Sequence, residues 1–188
     1  MPRPGFITAS SFADMMTTGK GEPFGKTAKS LAAELAGIWL GDEPSEMETF
    51  AMRWGIENEP LARMEYERLN FCTVPKPDFQ IAPDLPFIGG TADGLVGTSG
   101  LVEIKCPTTA NHRKNILFGE QVLEYMYQMH GYMWIYQREW CDFVSFDPRS
   151  TKQIHVIRVN RDDAIIRQLR ERAVLFRELV QSYYDLMK

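Results

Sequence analysis

One stretch limits what this chain can fold into more than any other: Pro86 to Pro107, PFIGGTADGLVGTSGLVEIKCP. Gly97-Thr98-Ser99-Gly100, flanked by Leu95-Val96 and Leu101-Val102, marks a turn between two strands. The hairpin carries Asp93 on its first strand and Glu103 and Lys105 on its second. Side chains two apart on a strand share a face, so Glu103 and Lys105 point the same way. A loop with an odd number of residues sets Asp93 opposite Glu103. An even loop throws Asp93 to the other face, because a one-residue slip reverses every side chain. Any chemistry that joins the three groups therefore requires the odd register.

Asp93 and Glu103 are hard oxygen ligands with no His or Cys obviously placed to join them. They suit Mg2+ or Mn2+ rather than zinc. Such a cation can polarise a phosphodiester, and Lys105 would add a point charge that orients the nucleophile and opposes charge building on phosphorus. On its own the pattern is weak, since many hairpins carry an exposed Glu and Lys two apart.

The chain's 188 residues are expected to form one domain over residues 1–188, large enough to bury roughly 70% of the unfolded surface. The start MPRPGF lacks a signal-peptide pattern and no apolar run reaches membrane-span length, so a cytoplasmic protein is expected. Cys72, Cys106 and Cys141 lack metal-finger spacing and read as reduced, largely buried thiols. A net charge of −4 does not suggest nucleic-acid binding, nor does it exclude it, because binding depends on where charges lie.

Along the chain, Ile7 to Met16 reads as a short helix with Thr8, Ser10 and Ser11 as candidate caps. Gly19 to Lys26 is a glycine-rich basic loop without a P-loop ending: either a mobile loop, or one lying along a phosphate backbone through Lys20 and Lys26. Ala28 to Leu40 is a helix closed by Gly41. A second helix begins at a capping box, Ser45 to Glu48, and Pro60 predicts a bend or a fresh start near Glu57–Pro60. Short edge strands follow from Phe71. Ala110 to Gln137 is mostly helical, Trp140 to Phe146 and Gln153 to Val159 are strands, and a last helix starts at Asp162–Asp163. The order predicts a mixed α/β domain around one central sheet.

Several motifs appear in sequence with the hairpin: Gly5-Phe6-Ile7-Thr8-Ala9-Ser10, Trp54-Gly55 followed by Glu59, Asp93-Gly94, Glu103-Ile104-Lys105-Cys106-Pro107, and Tyr125-x-x-Gln128. Together they resemble the lambda-type phage exonucleases, also called alkaline or Red-type, of the PD-(D/E)xK nuclease superfamily. The likeness runs from about Arg3 to Asp147. It implies a restriction-endonuclease-like core, a central mixed β-sheet flanked by helices.

The resemblance implies a metal-dependent exonuclease that digests one strand of double-stranded DNA from the 5′ end, releasing mononucleotides and leaving a 3′ overhang for recombination. It implies two Mg2+ or Mn2+ ions held by Asp93, Glu103 and the Ile104 carbonyl, with Lys105 catalytic. Glu59 would hold a water or part of the second-metal site; from the residues alone it is a surface carboxylate capping a post-proline turn. Tyr125 and Gln128 would border the active site; from the residues alone they are a core tyrosine and a solvated or locally bonded amide. Arg3, Ser10 and Thr91 would form a 5′-phosphate pocket, with Thr91 where the family more often has serine. Met52 would be a wedge between terminal base pairs, or a core-facing methionine. Relatives carry a further segment ahead of Arg3. The resemblance also implies a homotrimeric ring around DNA ends and a phage single-strand annealing partner. Other readings are an endonuclease or helicase-associated nuclease of the same fold, and a non-catalytic DNA-binding module.

Overall fold

The computed structural model describes residues 5–44 and 49–188. Its centre is the expected hairpin. Strand β4 (Gly94–Val96) runs antiparallel to β5 (Gly100–Lys105), with Gly94 opposite Val102 and Val96 opposite Gly100. The connecting loop, residues 97–99, is odd, and Gly97 turns at φ 52° in the left-handed region that glycine adopts without strain. Continued by one step, this register brings Asp93 opposite Glu103. Asp93 itself sits in a bend just ahead of β4, not within the strand.

Strand β6 (Trp140–Phe146) pairs parallel to β5, and β7 (Ile154–Asn160) pairs antiparallel to β6, giving the order β4-β5-β6-β7. A parallel pair needs a long crossover. Helices α4 (Thr109–Phe118), α5 (Glu120–Glu124) and α6 (Met126–Ile135) supply it. The single helical stretch expected here is broken at Gly119, whose φ is 63°.

β5 is central and covered on both faces, which explains why GLVEIK is apolar apart from its two charged residues. Leu101 belongs with Cys141 and Phe143 to the larger core, where α6 and the terminal helix pack. Val102 and Ile104 point the other way, with Val144 and Phe146, into a smaller core under the long helix. Period two then puts Glu103 and Lys105 on the α6 side.

A second sheet was not expected. Strand β1 (Ile7–Thr8) lies parallel to β3 (Ile88–Gly90), which pairs antiparallel with β2 (Gln80–Ile81). The helix predicted over Ile7–Met16 is therefore shorter. A 3-10 turn covers Ala9–Ser11 and α1 covers Phe12–Met15, and neither Thr8 nor Ser11 caps them through its side chain. Ile7 is buried, so tertiary pairing with β3 overrides the local helix pattern.

Helix α2 (Lys26–Leu40) ends at Gly41 as expected, φ 107°. Helix α3 (Phe50–Asn70) runs unbroken through Pro60, so no fresh start occurs at Glu57–Pro60. The Ser45–Glu48 capping box lies outside the described residues; the described cap is Thr49, whose side chain accepts from Met52 N at 3.2 Å. Helix α7 (Asp163–Met187) is capped by Asp162, which accepts from Ala164 N at 2.7 Å. No described helix is long and apolar enough to cross a membrane.

One buried hydrogen bond fastens α3 to the sheet. Tyr66 Oη donates to Asp142 Oδ2 at 2.7 Å, while Arg158 grips the same carboxylate at 2.8 and 2.9 Å. Tyr66→Phe keeps the ring and removes that donor. It is expected to lower stability by about 1–2 kcal/mol, read as a lower urea midpoint with an unchanged slope.

Candidate active site

Strand β5 delivers Glu103 and Lys105 to a cleft of about 580 Å³. Its walls include Met52, Trp54 and Glu59 from α3, Asp93 from the bend before β4, Ile104 and Cys106 beside the charged pair, Tyr125 and Gln128 from the crossover, and Arg149. The odd register thus does what the sequence required: Asp93, Glu103 and Lys105 share one cavity.

The Lys105 ammonium sits 2.7 Å from Glu103 Oε1 and 4.3 Å from the centre of the Tyr125 ring. Gln128 Nε2 donates to the same Glu103 oxygen at 2.8 Å. Asp93 Oδ2 accepts from Ile104 N at 2.7 Å, so the carboxylate leans directly on β5. Glu103 Oε2, by contrast, is buried with no hydrogen-bond partner among the described residues. Buried oxygens rarely stay orphaned, and ordered water or a bound ion commonly completes those that find no protein partner.

Electrostatics follow from that crowding. Burial, then the neighbouring Asp93 charge, pushes the Glu103 carboxyl up to about 8. Burial also raises Asp93, against the Ile104 N–H that favours its charged form. For Lys105, burial acts downward, but the Glu103 carboxylate outweighs it and the net displacement is upward. The Cys106 thiol is pushed up to about 12, chiefly by burial, and stays a neutral thiol.

These directions carry a stability consequence. A carboxyl raised from 4.5 to about 8 takes up a proton more readily when folded than when unfolded. Its contribution is present below pH ~4.5 and is lost as pH rises through about 8. Thermal melts in chelator should fall between pH 5 and pH 9, and Glu103→Gln should flatten that fall. An equally steep fall in the variant would assign it to other groups.

A divalent cation fits the donor set. Two carboxylates are hard oxygen ligands, one of the Glu103 oxygens lacks a partner, and the cleft is open to water and phosphate. Among the described residues no group of three or more His, Cys, Asp or Glu is arranged around a metal position. The two carboxylates present are within what Mg2+ takes when water and substrate oxygens complete its shell.

Glu59 occupies the cleft wall but does not cap a post-proline turn, because α3 continues past it. Its Oε1 accepts from Arg63 at 2.8 Å and Lys76 at 3.0 Å. Arg63 also donates to the Asp93 and Val74 carbonyls, joining α3 to the bend that carries Asp93. Gln128 is buried rather than solvated, and Tyr125 stacks on Phe143 at 5.8 Å. Met52 is 55% exposed and lines the cleft, so it is not a core methionine.

The remaining expected contacts lie elsewhere. Pairing of β1 with β3 sets the turn bearing Ser10 close to the strand that leads into Thr91, yet neither residue lines the cleft, and Ser10 shares a hydrogen bond with Thr8 at 3.0 Å. Arg3 lies outside the described residues. Lys20 and Lys26 line a separate surface hollow with Lys29 and Glu22, which pair with each other.

Sequence reasoning missed Arg149. Its Nε and Nη2 hold Asp147 at 2.8 and 3.3 Å, and its guanidinium lies 4.2 Å over the Trp54 ring. Burial pushes the Asp147 carboxyl up, but donors from Arg149 and Thr109 outweigh it and hold the group down at about 2.

Comparison with known proteins decides what kind of cleft this is. The YqaJ-like viral recombinase domain matches residues 2–139. The chain belongs to that family. The matched span of this YqaJ-like protein takes in Glu59, Asp93, Glu103, Lys105, Tyr125 and Gln128, whereas Arg149 falls beyond it. An alkaline exonuclease (LHK-Exo) of Laribacter hongkongensis is 34% identical, with a TM-score of 0.88 over 98% of this chain and 92% of that one. The same enzyme solved in complex with dAMP superposes at 0.89, with the same identity and coverage. A phage-related exonuclease from Haemophilus somnus 129PT, 20% identical, shares the fold at 0.76 over 97% of this chain and 94% of that one. No curated protein sequence matches. The YqaJ-like chain thus has the alkaline exonuclease fold, and its family is that of the phage-type alkaline exonucleases.

Proposed function

We propose that this YqaJ-like protein is a metal-dependent exonuclease on double-stranded DNA. It digests one strand from 5′ to 3′, releases 5′-mononucleotides and leaves 3′ overhangs for phage-type recombination by strand annealing. The observation that carries the reading is the convergence of Asp93, Glu103 and Lys105 on one cleft, with Glu103 Oε2 left without a partner among the described residues. A relative at 34% identity that is described in complex with dAMP supports a mononucleotide product.

Asp93, Glu103 and the Ile104 carbonyl would hold Mg2+ or Mn2+, two ions per site in the PD-(D/E)xK manner. When bound, the cations supply Lewis-acid charge against the scissile phosphodiester and the attacking water. Lys105 brings a fixed ammonium to where negative charge grows on phosphorus, its position set by Glu103 and the Tyr125 ring. Gln128 fixes the Glu103 carboxylate through its N–H. Glu59, held by Arg63 and Lys76, faces the cleft as an acceptor for water. Arg3, Ser10 and Thr91 are assigned to the 5′-phosphate, Met52 to the terminal base pair, and Lys20 and Lys26 to the duplex backbone. A homotrimeric ring around the DNA end and a phage annealing protein complete the proposal.

Linear duplex labelled at either 5′ or 3′ termini, beside closed circular duplex, tests this reading. With Mg2+, the 5′ label should leave first as a mononucleotide and the circle should survive. Cleavage of the circle would make the protein an endonuclease, and early release of the 3′ label would reverse the polarity.

A further inference from the structure

We infer that Arg149, laid flat on Trp54 and forked onto Asp147, is a backbone-phosphate contact for DNA held in the cleft. The inference rests on the nuclease reading and adds to it a residue that lies beyond the span matched to the family.

The geometry explains why this arginine suits the task. Asp147 is buried and anchored by Thr109 Oγ1 at 2.5 Å, so it is a fixed point in the fold. The Arg149 main-chain N donates to Asp147 Oδ1 at 3.0 Å, and Nε and Nη2 take the same carboxylate at 2.8 and 3.3 Å. The flat face of the guanidinium rests on the Trp54 indole at 4.2 Å. One edge and one face are thus already committed, which removes most of the rotamer freedom a free arginine would lose on binding. Nη1 has no hydrogen-bond partner among the described residues, and the side chain is 50% exposed where it lines the cleft.

Charge points to phosphate as the ligand. The cleft wall carries three carboxylates, Glu59, Asp93 and Glu103, and the Lys105 ammonium pairs with one of them, Glu103. Arg149 pairs instead with Asp147, outside that trio, and keeps Nη1 without a hydrogen-bond partner among the described residues. A planar guanidinium matches a phosphate oxygen pair better than any other side chain. Its site on the β6–β7 connection, stacked on α3, also places the contact across two elements that both border the cleft.

Duplex binding by anisotropy across a salt series, in an Asp93→Asn background that does not digest the probe, tests the contact. Arg149→Met should weaken binding about tenfold and reduce the slope of log affinity against log salt by about one. Arg149→Lys keeps the charge but loses fork and stack; it should retain the slope and bind severalfold more weakly. Loss of affinity with an unchanged slope in Arg149→Met would make the residue a structural tie and overturn the inference. If Arg149→Met does not fold, Arg149→Lys binding as well as its parent overturns it instead. Failure of the Asp93→Asn parent itself to bind duplex would remove the nuclease reading and this contact with it, a result distinct from the other two.

Discussion

Asp93→Asn and Glu103→Gln should each slow mononucleotide release by on the order of a thousandfold or more, with folding preserved. Both substitutions keep size and remove charge. In the first, the amide oxygen that replaces the carboxylate can still accept from Ile104 N. In the second, the amide oxygen at the Glu103 position can still meet Gln128 and Lys105. Burial raises the proton affinity of both carboxylates, and the Asp93 charge adds to it at Glu103, so charge there opposes folding in the absence of a cation. Glu103→Gln should therefore melt at or above the wild-type temperature in chelator while losing activity. That combination separates a functional carboxylate from a structural one. A variant that digests duplex within tenfold of wild type would remove its residue from the metal site.

The second large effect belongs to Lys105. Lys105→Met should lower single-turnover digestion about a hundredfold or more, yet leave Mn2+ binding in place. The ammonium is not a cation ligand; in the proposed function it meets negative charge on the phosphate, from a position fixed by Glu103 at 2.7 Å and the Tyr125 ring at 4.3 Å. Loss of Mn2+ binding along with activity would recast Lys105 as a support for Glu103. An unchanged rate would end its catalytic role.

Part of this site could be read from the chain because a simple period governs it. A strand period of two puts Glu103 and Lys105 on one face with no knowledge of the rest of the fold, and the odd turn at Gly97, a register the chain left open, adds Asp93 to them. Tyr125 and Gln128 enter the site only through the family resemblance, since from the residues alone they read as a core tyrosine and a solvated or locally bonded amide. What the chain hid depends on partners distant in sequence. Ile7–Thr8 reads as the start of a helix until β3 pairs with it. Glu59 reads as an exposed carboxylate until Arg63 and Lys76 close on it. Pro60 reads as a break, but α3 stays helical, held to the sheet by Tyr66. Arg149 follows Asp147-Pro148 in the connection between two strands. Only the fold puts Trp54, ninety-five positions earlier, beneath it.

The central claim is that Asp93 and Glu103 together hold a divalent cation. A crystal of the wild-type protein soaked in Mn2+, with an anomalous difference map, tests that most directly. A peak between the two carboxylates, within coordination distance of the Ile104 carbonyl and absent in Asp93→Asn, is the predicted result. A Mn2+ peak elsewhere, with Asp93 and Glu103 both uncoordinated, would contradict it.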